Sequence, residues 1–239
     1  MNCTYKTIGV LGAEGYVGSE IVKAAAVHSE FLVKPITRKD NWKTVLNECD
    51  CIIHAANSGK RYFANQNPQI DFKNTFLQSQ EFLHFFPQKK WVLISTLSAR
   101  TQPGKPYGAH RLEVEKLFSG QAKNLVIRLG PMYGGHKTEG ALYDAIFGRP
   151  LYLSPNTQYA FTPVESNAKQ ILQHIYASGL IELGASQGLS LEKLVKDIGS
   201  KSKFESDYDD TQIPQNPPLG APPVEYVINY AKKLLSRTI

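Results

Sequence analysis

The sequence has little cysteine, no long apolar run and no block of charge of one sign, and each shortage removes a class of protein. Three cysteines, Cys3, Cys49 and Cys51, do not make a disulfide framework. Cys49 and Cys51 lack C-x-x-C spacing and have no histidine pair nearby, which argues against zinc; buried thiols are expected, and no metal site. No run approaches the roughly eighteen apolar residues that cross a bilayer, so no membrane partner is expected. The opening "MNCTYKTIGVLGAEG" is a short apolar strand followed by glycines, not a secretory leader, and implies a cytoplasmic protein. The formal net charge is +6, but the basic residues are scattered, and the longest runs are pairs such as Lys89-Lys90 and Lys232-Lys233. These read as solvated faces. With no recognisable binding module beside them, nucleic acid is not an expected partner. A phosphate-bearing small molecule suits the same balance.

What is present is ordinary globular material: 239 residues, 42% hydrophobic and 20% charged. That length accommodates one large α/β domain, or one with a small appendage. "KTIGVLG", "EFLVKPITR", "CDCIIHAA", "KKWVLIST" and "NLVIRLG" read as strands, the second interrupted by Pro35. Between them, "YVGSEIVKAAAV", "NWKTVLNE", "NPQIDFKNTFLQSQEFLHFF" and "PYGAHRLEVEKLFSG" read as helices. Alternation of this kind implies a parallel sheet with helices on both faces.

After Gly130 the pattern changes. "YGGHKTEG" is a turn-rich loop, "ALYDAIFGRP" and "NAKQILQHIYASG" are helices, and "LIELGAS" is a strand. "SLEKLVKDIG" is a helix with Ser190 as its N-cap, "IPQNPPLGAPP" excludes regular structure, and "VEYVINYAKKLLS" closes the chain as a helix. The expected fold is a Rossmann-type doubly wound parallel sheet with a small C-terminal substrate-binding portion. Residues 1–135 form its dinucleotide-binding core, and residues 136–239 form a mixed segment that partly returns to it.

Four stretches carry chemistry. In "GAEGYVG", Gly12, Gly15 and Gly18 follow a strand and open a helix. Glycine permits the sharp turn, the approach of a pyrophosphate to the backbone and close helix packing, and the helix N-terminus offers N–H groups to phosphate. At the end of the second strand, "ITRKD" places Thr37, Arg38 and Lys39 where an NAD site has a carboxylate. A cation there suits a 2′-phosphate, so NADP(H) is favoured over NAD(H), with Asp40 keeping the alternative open. In "IHAAN", small Ala55 and Ala56 let a ribose lie on the strand end, while His54 reads as a packed residue rather than a catalytic one. Finally, Thr96 in "STLSA" precedes Tyr107 in "YGAHR" by eleven residues, and Arg111 follows one helical turn later. A tyrosine needs a neighbouring cation to work as acid or base near neutral pH. Thr96 or Ser95 then holds the substrate oxygen. A buried tyrosine with a surface arginine is the plainer alternative for the same residues.

Taken together, "GAEGYVG", "IIHAA", "LIST", "YGAHR" with "LEVEK", and "LVIRLGPMYGG" resemble the extended short-chain dehydrogenase/reductase family, the NAD(P)-dependent epimerases, dehydratases and reductases of nucleotide sugars. "FTPVESNAKQIL" is similar to the family's later segment. The resemblance implies that Gly12, Gly15, Tyr16, Val17 and Gly18 hold the pyrophosphate, and that Ala55 and Ala56 line the adenosine and ribose path. It implies that Thr96, with Ser95 beside it, orients the substrate, that Tyr107 is the catalytic acid/base, and that Pro131 and Met132 face the nicotinamide end.

Three departures stand out. The family's Y-x-x-x-K pattern has Arg111 in the lysine place. That lysine both lowers the tyrosine pKa and hydrogen-bonds the nicotinamide ribose; arginine keeps the charge, but its planar fork is larger and differently directed. The segment between Arg38 and Cys51 is short, as in reductases of the dTDP-4-dehydrorhamnose type. The C-terminal portion is small. The resemblance implies an NADP(H)-dependent oxidoreductase reducing a carbonyl on a nucleotide sugar or similar phosphorylated small molecule, possible as a homodimer. The loop after Gly130 and the segment from Ser154 to Val164 would close the substrate side. A nucleotide-sugar epimerase or dehydratase with the same site is one alternative. A non-catalytic dinucleotide-binding sensor or subunit is another.

Overall fold

The computed structural model describes residues 5–27 and 30–238; Cys3 lies outside them. The chain divides into two compact units, one of Met1–Arg128 with Ala168–Ile181 and one of Leu129–Asn167 with Glu182–Ile239.

The first unit is built on the strands Thr7–Leu11 (β1), Leu32–Ile36 (β2), Cys51–His54 (β3), Lys90–Thr96 (β4) and Leu125–Leu129 (β5), with a sixth strand at Gly179–Leu183. They form one sheet in the order β2-β1-β3-β4-β5 followed by the sixth strand. β1 pairs in parallel with β2 and β3, and β3 in parallel with β4. All of β3 and the first six residues of β4 are buried, as strands covered on both faces must be. β2 carries Pro35 because it is the edge strand, where a missing backbone N–H leaves no ladder partner unmatched. The chain leaves β1 toward β2 on one side and returns to β3 on the other. That reversal lies at the carboxyl ends of β1 and β3, the place where open α/β sheets generally take ligands.

Leu11, Ile52, Trp91 and Leu93 from the sheet pack with Phe82, Phe86, Val114 and Phe118 from the helices to form this unit's core. Cys49 and Cys51 are buried free thiols, as expected. Burial pushes the Cys51 thiol up to about 12 and raises that of Cys49 as well.

One helix differs from its sequence reading. The stretch expected to be a single helix is α-helical over Pro68–Phe72, π-helical over Lys73–Leu77 and α-helical again over Gln78–Phe85. Ser79 Oγ donates to the Thr75 carbonyl from four residues on, and Thr75 and Ser79 are both buried. Hydroxyl groups that bond the helix's own carbonyls loosen the regular ladder and favour such a wide turn. A short helix at Arg61–Gln66 precedes it, where the sequence reading assigned none.

The second unit has its own core around Tyr133, Tyr143, Ile146, Tyr159, Phe161, Leu191, Leu194 and Val227. Ser190 caps the Leu191–Ile198 helix by accepting from Lys193 N–H, and Gly199 ends it in the left-handed region. No regular helix or strand occurs between residues 213 and 223. Among the described residues, no helix is long and apolar enough to cross a membrane.

Candidate active site

The glycine turn sits between the carboxyl end of β1 and the helix Tyr16–Ala26. Gly12 has φ of 79°, and a Cβ there would lie 2.7 Å from both the Ala55 oxygen and the Ala56 Cα. A Cβ on Gly18 would collide with the Gly12 carbonyl. The turn is therefore closed down on the end of β3, and only glycine fits it. Gly15 is the N-cap residue of the helix and offers no side chain to its free N–H groups, and the first turn, with Tyr16, Val17 and Gly18, holds no acid. Among the described residues no side chain caps this helix end and no acid stands in its first turn, a condition that suits an anion.

At the end of β2, Asp40 folds back on Thr37. Its Oδ2 accepts from Thr37 N–H and from Thr37 Oγ1, each at 2.7 Å. Those two bonds, the backbone one first, hold the Asp40 carboxyl below the usual carboxylate range. Arg38 beside it is exposed and has no ion pair among the described residues.

β3 ends in His54, which is fully buried. His54 Nδ1 accepts from Ala56 N–H at 3.3 Å, so Nε2 carries the proton and donates to Ser79 Oγ at 2.8 Å. Burial, helped by the charge of Arg111, pushes the imidazole down to about 3. His54 is a packed neutral residue between the rings of Phe82 and Phe118. Ala55 N–H donates to the Leu11 carbonyl at 3.0 Å, which fixes the chain as it leaves the strand. Both polar atoms of the Asn57 side chain are buried, and neither has a hydrogen-bond partner among the described residues.

Ser95 and Thr96 close β4 and part ways there, because successive strand residues face opposite sides of the sheet. Ser95 Oγ donates to Glu115, whose carboxylate also takes two bonds from Arg128 Nε, at 3.0 and 3.1 Å, and one from Nη2 at 2.7 Å. Ser95 is thus tied into a buried ion pair. Thr96 is partly exposed, and its Oγ1 accepts from Ser98 N–H at 3.2 Å.

Tyr107 lies in the first turn of the helix Pro106–Ser119, which packs against β4. It is 6% exposed, its N–H donates to Asn65 Oδ1 at 3.3 Å, and its hydroxyl has no hydrogen-bond partner among the described residues. Arg111, 2% exposed, lies one turn on with its guanidinium carbon 4.8 Å from the centre of the Tyr107 ring. Both ends of its fork are engaged. Nη1 donates to Thr75 Oγ1, Nη2 donates to the Ser58 carbonyl, and Asp71 Oδ1 lies 3.9 Å from Nη2. Asp71 in turn accepts from His110 Nδ1 at 2.7 Å. The arginine is therefore an interior cation, not the surface residue of the plainer alternative.

Sequence reasoning singled out neither Asp71 nor Thr75 nor Asn57. The only local signal was a lone acid between Ile70 and Phe72 on a helix that already carried apolar residues. Pro131 and Met132 belong to the second unit. Thr162 N–H donates to the Pro131 carbonyl at 3.0 Å, and Met132–Tyr133 pairs in parallel with Thr162–Pro163. In that unit Glu165 Oε1 accepts from Gly135 N–H at 3.2 Å, and the Tyr143 hydroxyl joins Gly134 N–H to the Tyr230 hydroxyl, each at 3.1 Å.

No family model and no curated protein matches the sequence. Solved structures do match. RMD from Pseudomonas aeruginosa complexed with NADPH superposes with a TM-score of 0.78 at 15% identity, covering 98% of this chain and 100% of that one. TunA, an NAD-dependent NDP-hexosamine 5,6-dehydratase involved in tunicamycin biosynthesis, gives 0.80 at 13% identity, covering 98% of each chain. The dTDP-4-dehydrorhamnose reductase of Bacillus anthracis in complex with NADP gives 0.77 at 16% identity, covering 94% of this chain and 98% of that one. Likeness at these identities establishes the fold alone, a doubly wound α/β architecture. The fold expected from the sequence resemblance is the fold found.

Proposed function

We propose that the protein is an NADP(H)-dependent oxidoreductase of the extended short-chain dehydrogenase/reductase type, reducing a carbonyl on a nucleotide sugar or similar phosphorylated small molecule. The observation that carries the reading is the buried pair of Tyr107 and Arg111, on a helix packed against the strand that ends in Thr96. Further support comes from the turn at Gly12 and Gly18, which any side chain would fill, and from the uncapped helix end behind it. Both fit a dinucleotide's diphosphate. Arg38, exposed and without an ion pair, supports a 2′-phosphate, as does Asp40, which is already occupied by Thr37.

When bound, the dinucleotide supplies the hydride. Tyr107 donates its hydroxyl proton to the oxygen of the carbonyl being reduced and is reprotonated from solvent. Arg111 supplies positive charge behind the ring for the tyrosinate left by that transfer, in a site dry enough for the charge to count. Thr96 Oγ1, on the partly exposed side of β4, orients the carbonyl oxygen. Because the Arg111 fork bonds Ser58 and Thr75, its role is electrostatic; a ribose contact of the kind a lysine makes falls to another group.

An epimerase or dehydratase would use the same residues, and the structural likeness to the NAD-dependent dehydratase TunA favours keeping it as the second reading. Purified protein incubated with NADPH and a panel of 4-keto and other carbonyl nucleotide sugars separates the possibilities. Stoichiometric loss of NADPH absorbance that disappears in Tyr107→Phe is the expected result. Sugar conversion without loss of NADPH identifies the epimerase or dehydratase. Turnover that survives Tyr107→Phe overturns the assigned role of the tyrosine. Tight NADPH binding with no turnover of any kind identifies a sensor or subunit.

A further inference from the structure

The segment from His54 to Ser58 is tied down along its length. Ala55 N–H bonds the Leu11 carbonyl, Ala56 N–H bonds His54 Nδ1, Ala56 abuts Gly12, and the Ser58 carbonyl is held by Arg111. Asn57 sits in the middle of this fixed stretch. Its Nδ2 and Oδ1 are both withdrawn from solvent and both unpartnered among the described residues. A buried amide left unsatisfied on both sides is a standing cost to the folded protein, and native structures keep such groups rarely and for a reason. The Arg111 fork, which reaches the neighbouring Ser58 carbonyl, makes its bonds there and to Thr75, not to the Asn57 amide.

We propose that Asn57 is a coenzyme-contact residue whose amide is reserved for ribose hydroxyls of the dinucleotide. The inference rests on the dinucleotide reading above. The chemistry of the orphaned pair selects the ligand group. Phosphate oxygens only accept, so they would satisfy Nδ2 and leave Oδ1 bare. A vicinal diol both gives and accepts, and satisfies both. Position agrees: Asn57 follows the residue that abuts the phosphate turn, and the groups on either side of a dinucleotide's diphosphate are its two riboses. In a 2′-phosphorylated coenzyme the intact diol is that of the nicotinamide ribose, which makes it the assigned partner. Asn57 itself is partly exposed, so rotation about its own side-chain torsions is enough to present the amide to a ligand at the strand end.

The test uses the full chain and two readouts of opposite sign. Asn57→Leu keeps the side-chain volume and removes the amide. Its expected thermal unfolding midpoint without coenzyme is equal to or above that of the wild type, because an unsatisfied polar group has gone. Its expected affinity for NADPH, by calorimetry, falls about tenfold. The same fall is expected for 2′-phospho-ADP-ribose, which keeps the distal ribose, and none for adenosine 2′,5′-bisphosphate, which lacks it. Asn57→Ala, measured in the same way, serves if the leucine variant does not fold. Wild-type affinity in the variants overturns the inference, and so does a lower midpoint accompanying the lost affinity, which marks a structural amide. An equal loss for adenosine 2′,5′-bisphosphate, or none for 2′-phospho-ADP-ribose, overturns the assignment to the distal diol. Failure of the wild-type protein to bind any of the three ligands is a different result: it overturns the dinucleotide reading itself.

Discussion

The guanidinium carbon of Arg111 stands 4.8 Å from the centre of the Tyr107 ring, with both residues buried and the arginine fork held by Ser58 and Thr75. The cation is thus fixed against the ring face by groups that are themselves fixed. Removing it takes the cation away from Asp71, which keeps hydrogen bonds from the His110 ring and the Thr75 hydroxyl. Arg111→Met is expected to cost about 3 kcal/mol in urea unfolding, in the range for a buried pair that loses one member. Asp71→Asn in the same background is expected to recover part of that loss. Strict additivity of the two changes would show that Asp71 and Arg111 do not interact.

Ser95 and Thr96 are adjacent hydroxyls with different duties, and substitution should separate them. Ser95→Ala removes a buried hydrogen bond to the Glu115 carboxylate and is expected to lower stability by about 1–3 kcal/mol while leaving turnover near normal. Thr96→Val is expected to do the reverse, with stability within about 1 kcal/mol of wild type and kcat/KM lowered. Chemical unfolding and steady-state kinetics on the two variants decide the matter. Equal kinetic damage from both would return Ser95 to the substrate site.

Coenzyme choice should follow Arg38 rather than Asp40. Arg38→Ser is expected to weaken NADPH binding roughly tenfold or more, the scale of one hydrogen bond to a charged group, while leaving NADH binding unchanged. Asp40→Asn should alter neither affinity strongly, because its carboxylate already accepts two bonds from Thr37. Fluorescence titration with both coenzymes reads the ratio. A selective loss of NADH binding in Asp40→Asn would show that the carboxylate serves the adenosine ribose after all.

Acid should act on this fold through His54. Its folded-state pKa lies at about 3, against an ordinary value of 6.5. Below that ordinary value the unfolded chain takes up a proton that the folded protein refuses. The stabilising contribution is therefore complete above about pH 6.5 and is lost progressively as the pH falls toward 3. The slope from this one group is about 1.4 kcal/mol per pH unit. In His54→Gln the acid limb is expected to be shallower by that amount whatever the absolute stability. Parallel limbs for the two proteins between pH 6 and 4 would mean that another group carries the loss.

Much of this site was legible because its parts are local. A short apolar strand, three glycines and a helix follow one another between Thr7 and Ala26, and backbone sterics alone give the pattern its meaning, as Gly12 and Gly18 show. Pro35 was readable as a flaw in a strand, but only the sheet order shows why the flaw is tolerated at an edge. The unread parts depend on partners far apart in the chain. Arg111 meets Thr75 across 36 residues and Ser58 across 53, separations that periodicity does not reach. The unequal roles of Ser95 and Thr96 follow from strand alternation together with Glu115 and Arg128, which lie on later elements. Asn57 was passed over for a different reason: its character is an absence of partners, and sequence does not display absences.

The wide turn at Lys73–Leu77 has a bearing on how this chain should be compared with others. Such a turn holds one residue more than the straight helix it interrupts, so the segments on either side are offset by about 100°. A gapless pairing of residues 68–85 with an uninterrupted relative would therefore misassign one half, placing Asp71 correctly and Ser79 on the wrong side, or the converse. Homology searches that penalise single-residue gaps inside helices would lose register at the stretch that seats the arginine.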